Sequence, residues 1–219
     1  MLNMKNLLVL LLLCFSLPAL SQKKFSEGTL SYDIVINTGS EKTQAADFFD
    51  GATSTIYIKG NRSRIEIISA LGTQTTIVDG ARNSIAILKE YGEQKYLIHM
   101  TPAEYQQANE KYNNVAFTYF NDEKTILGYK CKKAIGKLQN GSTFTVWYTE
   151  DLVPVNTEFQ YVNRSLPGLA MEYESVMGKM VVTYTGSKIS LNPVPLSKFE
   201  LPKTGFRVMS YKESLGIKQ

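Results

Sequence analysis

Between Gly28 and His99 the chain is cut at short intervals by turn-forming residues: Gly60-Asn61, Gly72, Asp79-Gly80 and Gly92. The runs between them are rich in Ile, Val, Thr and Tyr, which favour strands. A helical domain needs longer uninterrupted runs, so this punctuation predicts a meander of antiparallel strands. Strands are expected over Gly28–Asn37, Ala52–Lys59, Arg62–Ser69, Gln74–Asp79, Ser84–Glu90 and Lys95–Met100. In the first, Leu30, Tyr32, Ile34 and Ile36 share one face by parity. Thr38–Gly51 reads as a polar loop with Phe48-Phe49 at its tip.

Thr101–Tyr112 reads as a helix. Thr101 is placed to cap it, Pro102 suits its first position and Glu104 completes a capping box. Tyr105, Ala108 and Tyr112 fall on one stripe that would lie on the sheet or across its opening. Val115–Phe120 is a further strand, closed by Asn121-Asp122.

Thr125–Glu174 holds most of what is distinctive. Lys130–Leu138 and Thr143–Thr149 form a hairpin around Asn140-Gly141, whose residues tolerate the positive φ of a tight turn. Leu166-Pro167-Gly168-Leu169 then breaks the chain before a return strand, Ala170–Ser175. Pro167 and Gly168 fit the two central positions of a type II turn, with Gly168 at positive φ. Lys179–Thr185 is one more strand, and the tail from Ser190, with Pro193, Pro195 and Pro202, reads as extended chain laying Phe199 and Leu201 on the barrel.

Gly128-Tyr129-Lys130-Cys131, Val146-Trp147-Tyr148-Thr149 and Leu166-Pro167-Gly168-Leu169 together resemble the GLPGLI family of secreted Bacteroidetes proteins, or a sister family of unknown function with the same core. Ser165 and Ala170 stand where that family has glycine and isoleucine. The resemblance implies a fold similar to lipoprotein carriers of the LolA/LolB type. The expected fold is therefore mainly β, a single antiparallel half-open barrel with one or two covering helices.

Met1–Ser21 reads as a secretory signal: Lys5 is its positive end, Leu7–Leu17 its apolar core, and Ala19-Leu20-Ser21 a cleavage site. Residues 22–219 would form the single β-rich domain, in the periplasm or at the periphery of the outer membrane. Leu13 before Cys14 is a poor lipid-anchor signal, and the apolar core is too short to span a bilayer. Cleavage leaves Cys131 as the sole cysteine, read as a packed side chain. Removing Lys5 lowers the formal net charge from +4 to +3, too little and too dispersed for a nucleic-acid partner.

Catalytic chemistry finds no foothold. His99 is the only histidine and no Gly-x-Ser-x-Gly elbow accompanies it. One histidine and one cysteine do not make a zinc site, and Asn121-Asp122-Glu123 lacks the spacing of a calcium loop. Glu172 and Glu174 share a parity opposite Met171 and Tyr173, which suits a solvent face. No catalytic residue, metal ligand or cofactor is therefore assigned. The expectation is binding: an apolar ligand, lipid or lipoprotein acyl chain, in a half-barrel cavity under the Thr101–Tyr112 helix, the Leu166–Leu169 turn and the Phe48-Phe49 loop. Phe144, Val146, Tyr148, Leu166 and Leu169 are the expected lining, since Thr143, Thr145 and Thr149 share the face of Trp147 and suit water. The alternative is an envelope protein that docks a protein partner and carries no small ligand.

Overall fold

A computed structural model describes residues 22–37, 51–177 and 180–216 of the chain. Residues 1–21, 38–50 and 178–179 lie outside the described residues; they hold the signal segment, the Phe48-Phe49 loop tip and Gly178 of Met177-Gly178, which the sequence suggests as a turn. The chain opens with a short strand, β1 (Lys23–Phe25), and then runs the expected meander. Its strands are β2 (Glu27–Asn37), β3 (Thr53–Lys59), β4 (Arg62–Ser69), β5 (Gly72–Asp79), β6 (Ser84–Tyr91) and β7 (Gln94–Met100). Each pairs antiparallel with the next along β2 to β7.

Helix α1 (Pro102–Ala108) follows, capped as expected: Glu104 N–H donates to Thr101 Oγ1 at 3.2 Å and Thr101 N–H to the Glu104 carboxylate at 2.8 Å. The helix stops at Ala108 and a 3-10 turn, Glu110–Tyr112, takes over. That change of pitch leaves Ala108 exposed, while Tyr105 and Tyr112 stay half-buried, so the expected three-residue stripe is broken.

The second half is β8 (Ala116–Ile126), β9 (Tyr129–Lys137), β10 (Thr143–Thr149), β11 (Leu152–Pro154), β12 (Leu169–Met177) and β13 (Met180–Ser190). Asn121-Asp122 does not end β8. The ladder to β9 slips between Tyr119 and Glu123, and this bulge absorbs the polar residues. β14 (Arg207–Ser210) and helix α2 (Tyr211–Ser214) close the described chain.

Twelve of these strands form one sheet in the order β14-β7-β6-β5-β4-β3-β2-β13-β12-β10-β9-β8. Its ends do not meet, so the fold is a half-open barrel, mainly β, as expected. β1 and β11 pair in parallel beside it. The tail does more than run extended: β14 adds in parallel to the edge of β7. Phe199 is buried, as expected of it, but Leu201 is 36% exposed: Phe199 sits in the 3-10 turn Leu196–Phe199 and not in an extended run, so strand alternation does not put the two on one face.

Directly paired residues point to one face. On the inner face Leu30, Ile56 and Ile65 line up across β2, β3 and β4, and Ile34, Tyr184 and Tyr173 across β2, β13 and β12. On the outer face Ile77, Ala86, Leu88 and Leu97 form a second layer closed by Phe206 from the tail. The tail is pinned there by Arg64, which donates to the Lys198 carbonyl at 3.2 Å, and by Glu27, which accepts from Val194 N–H and pairs with Lys59. At the β5–β6 turn Asp79 is buried. Burial opposes its ionisation, but hydrogen bonds from Arg62 and from the Arg82 and Ala81 N–H groups outweigh that and hold its carboxyl below the usual range.

Candidate functional site

The inner face is covered by the 3-10 turn Glu110–Tyr112 and by a second 3-10 segment, Glu158–Asn163, which sequence reading leaves within an irregular connection. Three contacts stitch this cover together. Tyr105 meets Tyr161 edge-to-face at 5.8 Å; Tyr161 Oη and Arg164 both donate to Asn113 Oδ1, at 3.1 and 3.2 Å; and the Arg164 guanidinium lies 4.5 Å over the Tyr161 ring.

Between cover and sheet lies a cavity of about 190 Å³. Ile56, Ile65, Ile67, Tyr173 and Tyr184 form its floor, and Tyr112, Phe159 and Val162 its roof. Tyr173 and Tyr184 stack in parallel, with ring centroids 4.7 Å apart, and Tyr32 meets Tyr173 edge-on at 5.8 Å. Ser54, Ser175, Asn109, Gln160 and Asn163 are the polar side chains at the wall. No Asp, Glu, Lys, Arg or His lines the cavity among the described residues. Burial pushes the Tyr173 phenol well above its ordinary range and raises that of Tyr184, so both rings are neutral at physiological pH.

The residues expected at the site occupy the same interior. Phe144, Val146, Tyr148 and Leu166 belong to one buried cluster with Ala134, Leu138 and Ala170, and this cluster shares Tyr112, Val162 and Tyr173 with the cavity. They pack against one another beside it. Leu169 is fully buried in the neighbouring cluster with Leu30, Ile56 and Met171. Tyr148 also borders an open groove at the β8 end of the sheet, with Tyr119, Phe120, Glu123, Lys132, Glu150 and Pro167. Thr149 departs from the water-facing expectation: it is fully buried. The register slips between Trp147 and Tyr148, so parity fails at that point, and Thr149 Oγ1 accepts from Asp151 N–H at 3.2 Å.

The Leu166–Leu169 turn also departs from expectation. Gly168 is not among the glycines at positive φ, so no type II turn forms around it. The glycine is required by contact: a Cβ at Gly168 would lie 1.9 Å from the Thr149 carbonyl oxygen. Gln160 holds the turn from below, its amide donating to Gly168 O at 3.2 Å and accepting from Ala170 N–H at 3.4 Å. Tyr32 Oη donates to Ala170 O at 2.8 Å.

Cys131 is fully buried in the core, as expected, and burial pushes its thiol up to about 11, the opposite of nucleophile activation. His99 is exposed at the end of β7. Glu172 pairs with Lys124 at 2.6 Å, and Glu174 accepts from Thr145 N–H at 2.8 Å. Among the described residues no group of three or more His, Cys, Asp and Glu could hold a metal ion, and no helix is long and apolar enough to cross a membrane.

Residues 58–183, which span the sheet from β3 to β13 and the cover above it, match the family model for the N-glycanase peptide, N-terminal domain. The chain belongs to that family. The GLPGLI family that the Gly128–Cys131 core resembles is not shown by this match. No curated protein matches the chain in sequence. An uncharacterized conserved protein from Thermus thermophilus is similar in structure, with a TM-score of 0.51 and 9% identity over 83% of this chain and 90% of that one. That likeness is one of fold alone. PNGF-II aligns over 87% of this chain with a TM-score of 0.45 and 13% identity. This N-glycanase peptide N-terminal domain chain spans 32% of the PNGF-II chain. LprF from Mycobacterium bovis aligns with a TM-score of 0.34 and 13% identity over 78% of this chain and 88% of that one.

Proposed function

We propose that this protein binds a small apolar ligand, a lipid or an acyl chain, in the cavity between its sheet and the Glu158–Asn163 cover, and catalyses no reaction. The supporting observation is the cavity wall: three isoleucines, Phe159, Val162 and stacked tyrosines around about 190 Å³, with no charged side chain. Such a wall offers dry, weakly directional contact, which is what an alkyl chain needs. Burying a methylene is worth ~0.8 kcal/mol, so an alkyl segment of about eight carbons gains about 6 kcal/mol, a Kd of order 10–100 µM. That range gives loading and release without a large barrier. The signal-like Met1–Ser21 supports export, with the mature protein working in the envelope after cleavage at Ser21.

The test is titration of the mature protein with N-phenyl-1-naphthylamine, an uncharged apolar dye. Saturable fluorescence enhancement is expected. Ser175→Phe fills the cavity from its wall and should weaken the dye at least tenfold. Ile68→Phe, on the other face of β4 where Ile68 is 50% exposed, should leave it unchanged. No saturable binding by the wild type, or equal binding by Ser175→Phe, contradicts the reading.

One observation favours the docking alternative. β8 ends the sheet, and Tyr119 and Phe120 on it are 50% and 38% exposed. An open edge with apolar side chains accepts an extended segment of a protein partner as an added strand. The dye experiment separates the two, since edge docking needs no cavity and is indifferent to Ser175→Phe.

A further inference from the structure

Asn163 stands apart from the rest of the cavity wall. It is 1% exposed, and among the described residues neither Nδ2 nor Oδ1 of its side chain has a hydrogen-bond partner. Every other buried side-chain polar atom in the described chain either has a partner or reaches solvent. Its backbone is occupied in the ordinary way, the carbonyl accepting from Leu166 N–H at 3.1 Å. The side-chain amide therefore is not needed to hold the turn, and Asn163 is one of the residues that line the cavity. Burying an unpaired amide is unfavourable, and an apolar side chain of the same shape would avoid that cost. An amide kept at this position makes sense where something entering the cavity completes it.

The chemistry of that partner follows from the wall. Nδ2 donates and Oδ1 accepts, so the complementary group both accepts and donates. The cavity holds no cation to receive a carboxylate or phosphate. Three cations adjoin wall residues in sequence, and all are engaged elsewhere: Arg64 bonds Glu66 and the Lys198 carbonyl on the outer face. Lys111 sits 4.6 Å over the Tyr112 ring, and Arg164 is shared between Tyr161, Asn113 and Glu158. A charged head would lose its hydration with nothing to replace it. Tyr173 and Tyr184, raised by burial, stay protonated and add no negative charge. Resting on the binding reading above, we infer that the ligand is an alkyl chain with an uncharged hydroxyl or primary amide head, and that this head docks on the Asn163 side chain.

The experiment displaces the bound dye from the mature protein at pH 8 with four eight-carbon probes: 1-octanol, octanamide, octanoate and heptyl methyl ether. Octanol and octanamide should displace it about tenfold better than the ether, which cannot donate, and better still than the charged octanoate. In Asn163→Leu the preference for octanol over the ether, each read against that variant's own dye affinity, should fall to about onefold. The wild-type protein supplies a check that needs no variant: the Asn163 side-chain NH₂ signal should shift on adding octanol and stay in place with the ether. Equal displacement by octanol and ether, an unshifted NH₂ signal, or an unchanged preference in Asn163→Leu overturns the assignment while leaving dye binding intact. Octanoate as the best displacer overturns the uncharged head. Failure of the wild type to bind dye overturns the binding reading and this inference with it.

Discussion

Gly168→Ala is expected to cost about 3 kcal/mol of stability, among the largest effects of any single methyl added to this chain. The new Cβ would sit 1.9 Å from the Thr149 carbonyl oxygen and 2.8 Å from its carbon. Both are backbone atoms at the end of β10, so neither can swing aside as a side chain would. Relief requires the Leu166–Leu169 turn to lift away from β10. That would disturb Leu166 and Leu169, which are 6% and 0% exposed and belong to the two main clusters. The cause is distinguishable from a requirement for positive φ. A left-handed position tolerates Asn better than Ala, whereas a steric wall penalises Asn at least as much. Urea denaturation of Gly168→Ala and Gly168→Asn reads this directly. Two midpoints lowered alike are expected, and an Asn variant close to wild type would contradict the contact explanation.

Gln160→Leu is the second large effect, expected at about 2–3 kcal/mol. The glutamine is 8% exposed and makes both hydrogen bonds that the turn backbone offers on this side, to Gly168 O and from Ala170 N–H. Leucine fits the space but leaves two buried backbone groups unpaired, each costing about 1–3 kcal/mol before any relaxation. Tyr32 remains bonded to Ala170 O and limits how far the strand can shift. The loss should appear in the denaturation midpoint and as faster hydrogen exchange at Ala170. A change below about 0.5 kcal/mol, with Ala170 still protected, would show that the turn is held by its leucines alone.

These two residues also mark the limit of what sequence conveys. The meander was legible because Gly60, Gly72, Asp79-Gly80 and Gly92 punctuate it and strand parity does the rest. The helix cap was legible because Thr101 and Glu104 lie three residues apart and act on each other. Gly168 was legible as special, but its reason lies nineteen positions away at Thr149, and turn chemistry supplied a local reason in its place. The 3-10 segment Glu158–Asn163 has no period to betray it, and its dihedrals break at Gln160. β1, β11 and β14 are three or four residues long and pair in parallel with distant partners, so no local pattern announces them. Parity placed Phe144, Val146 and Tyr148 in the interior. It could not say which part of that interior is filled, since this depends on how Tyr112 and Val162 descend from the cover. Asn163 gave no signal at all, because an asparagine in a polar connection looks like any other.

The central claim is that a ligand enters the space between the sheet and the Glu158–Asn163 cover. Its most direct test is nuclear Overhauser spectroscopy on mature protein carrying labelled isoleucine and valine methyl groups, with N-phenyl-1-naphthylamine bound. The account predicts contacts from the dye's ring protons to the methyls of Ile56, Ile65, Ile67 and Val162, which line the cavity. Contacts confined to exposed methyls of the opposite face, such as those of Val35, Ile68 and Val208, would contradict it.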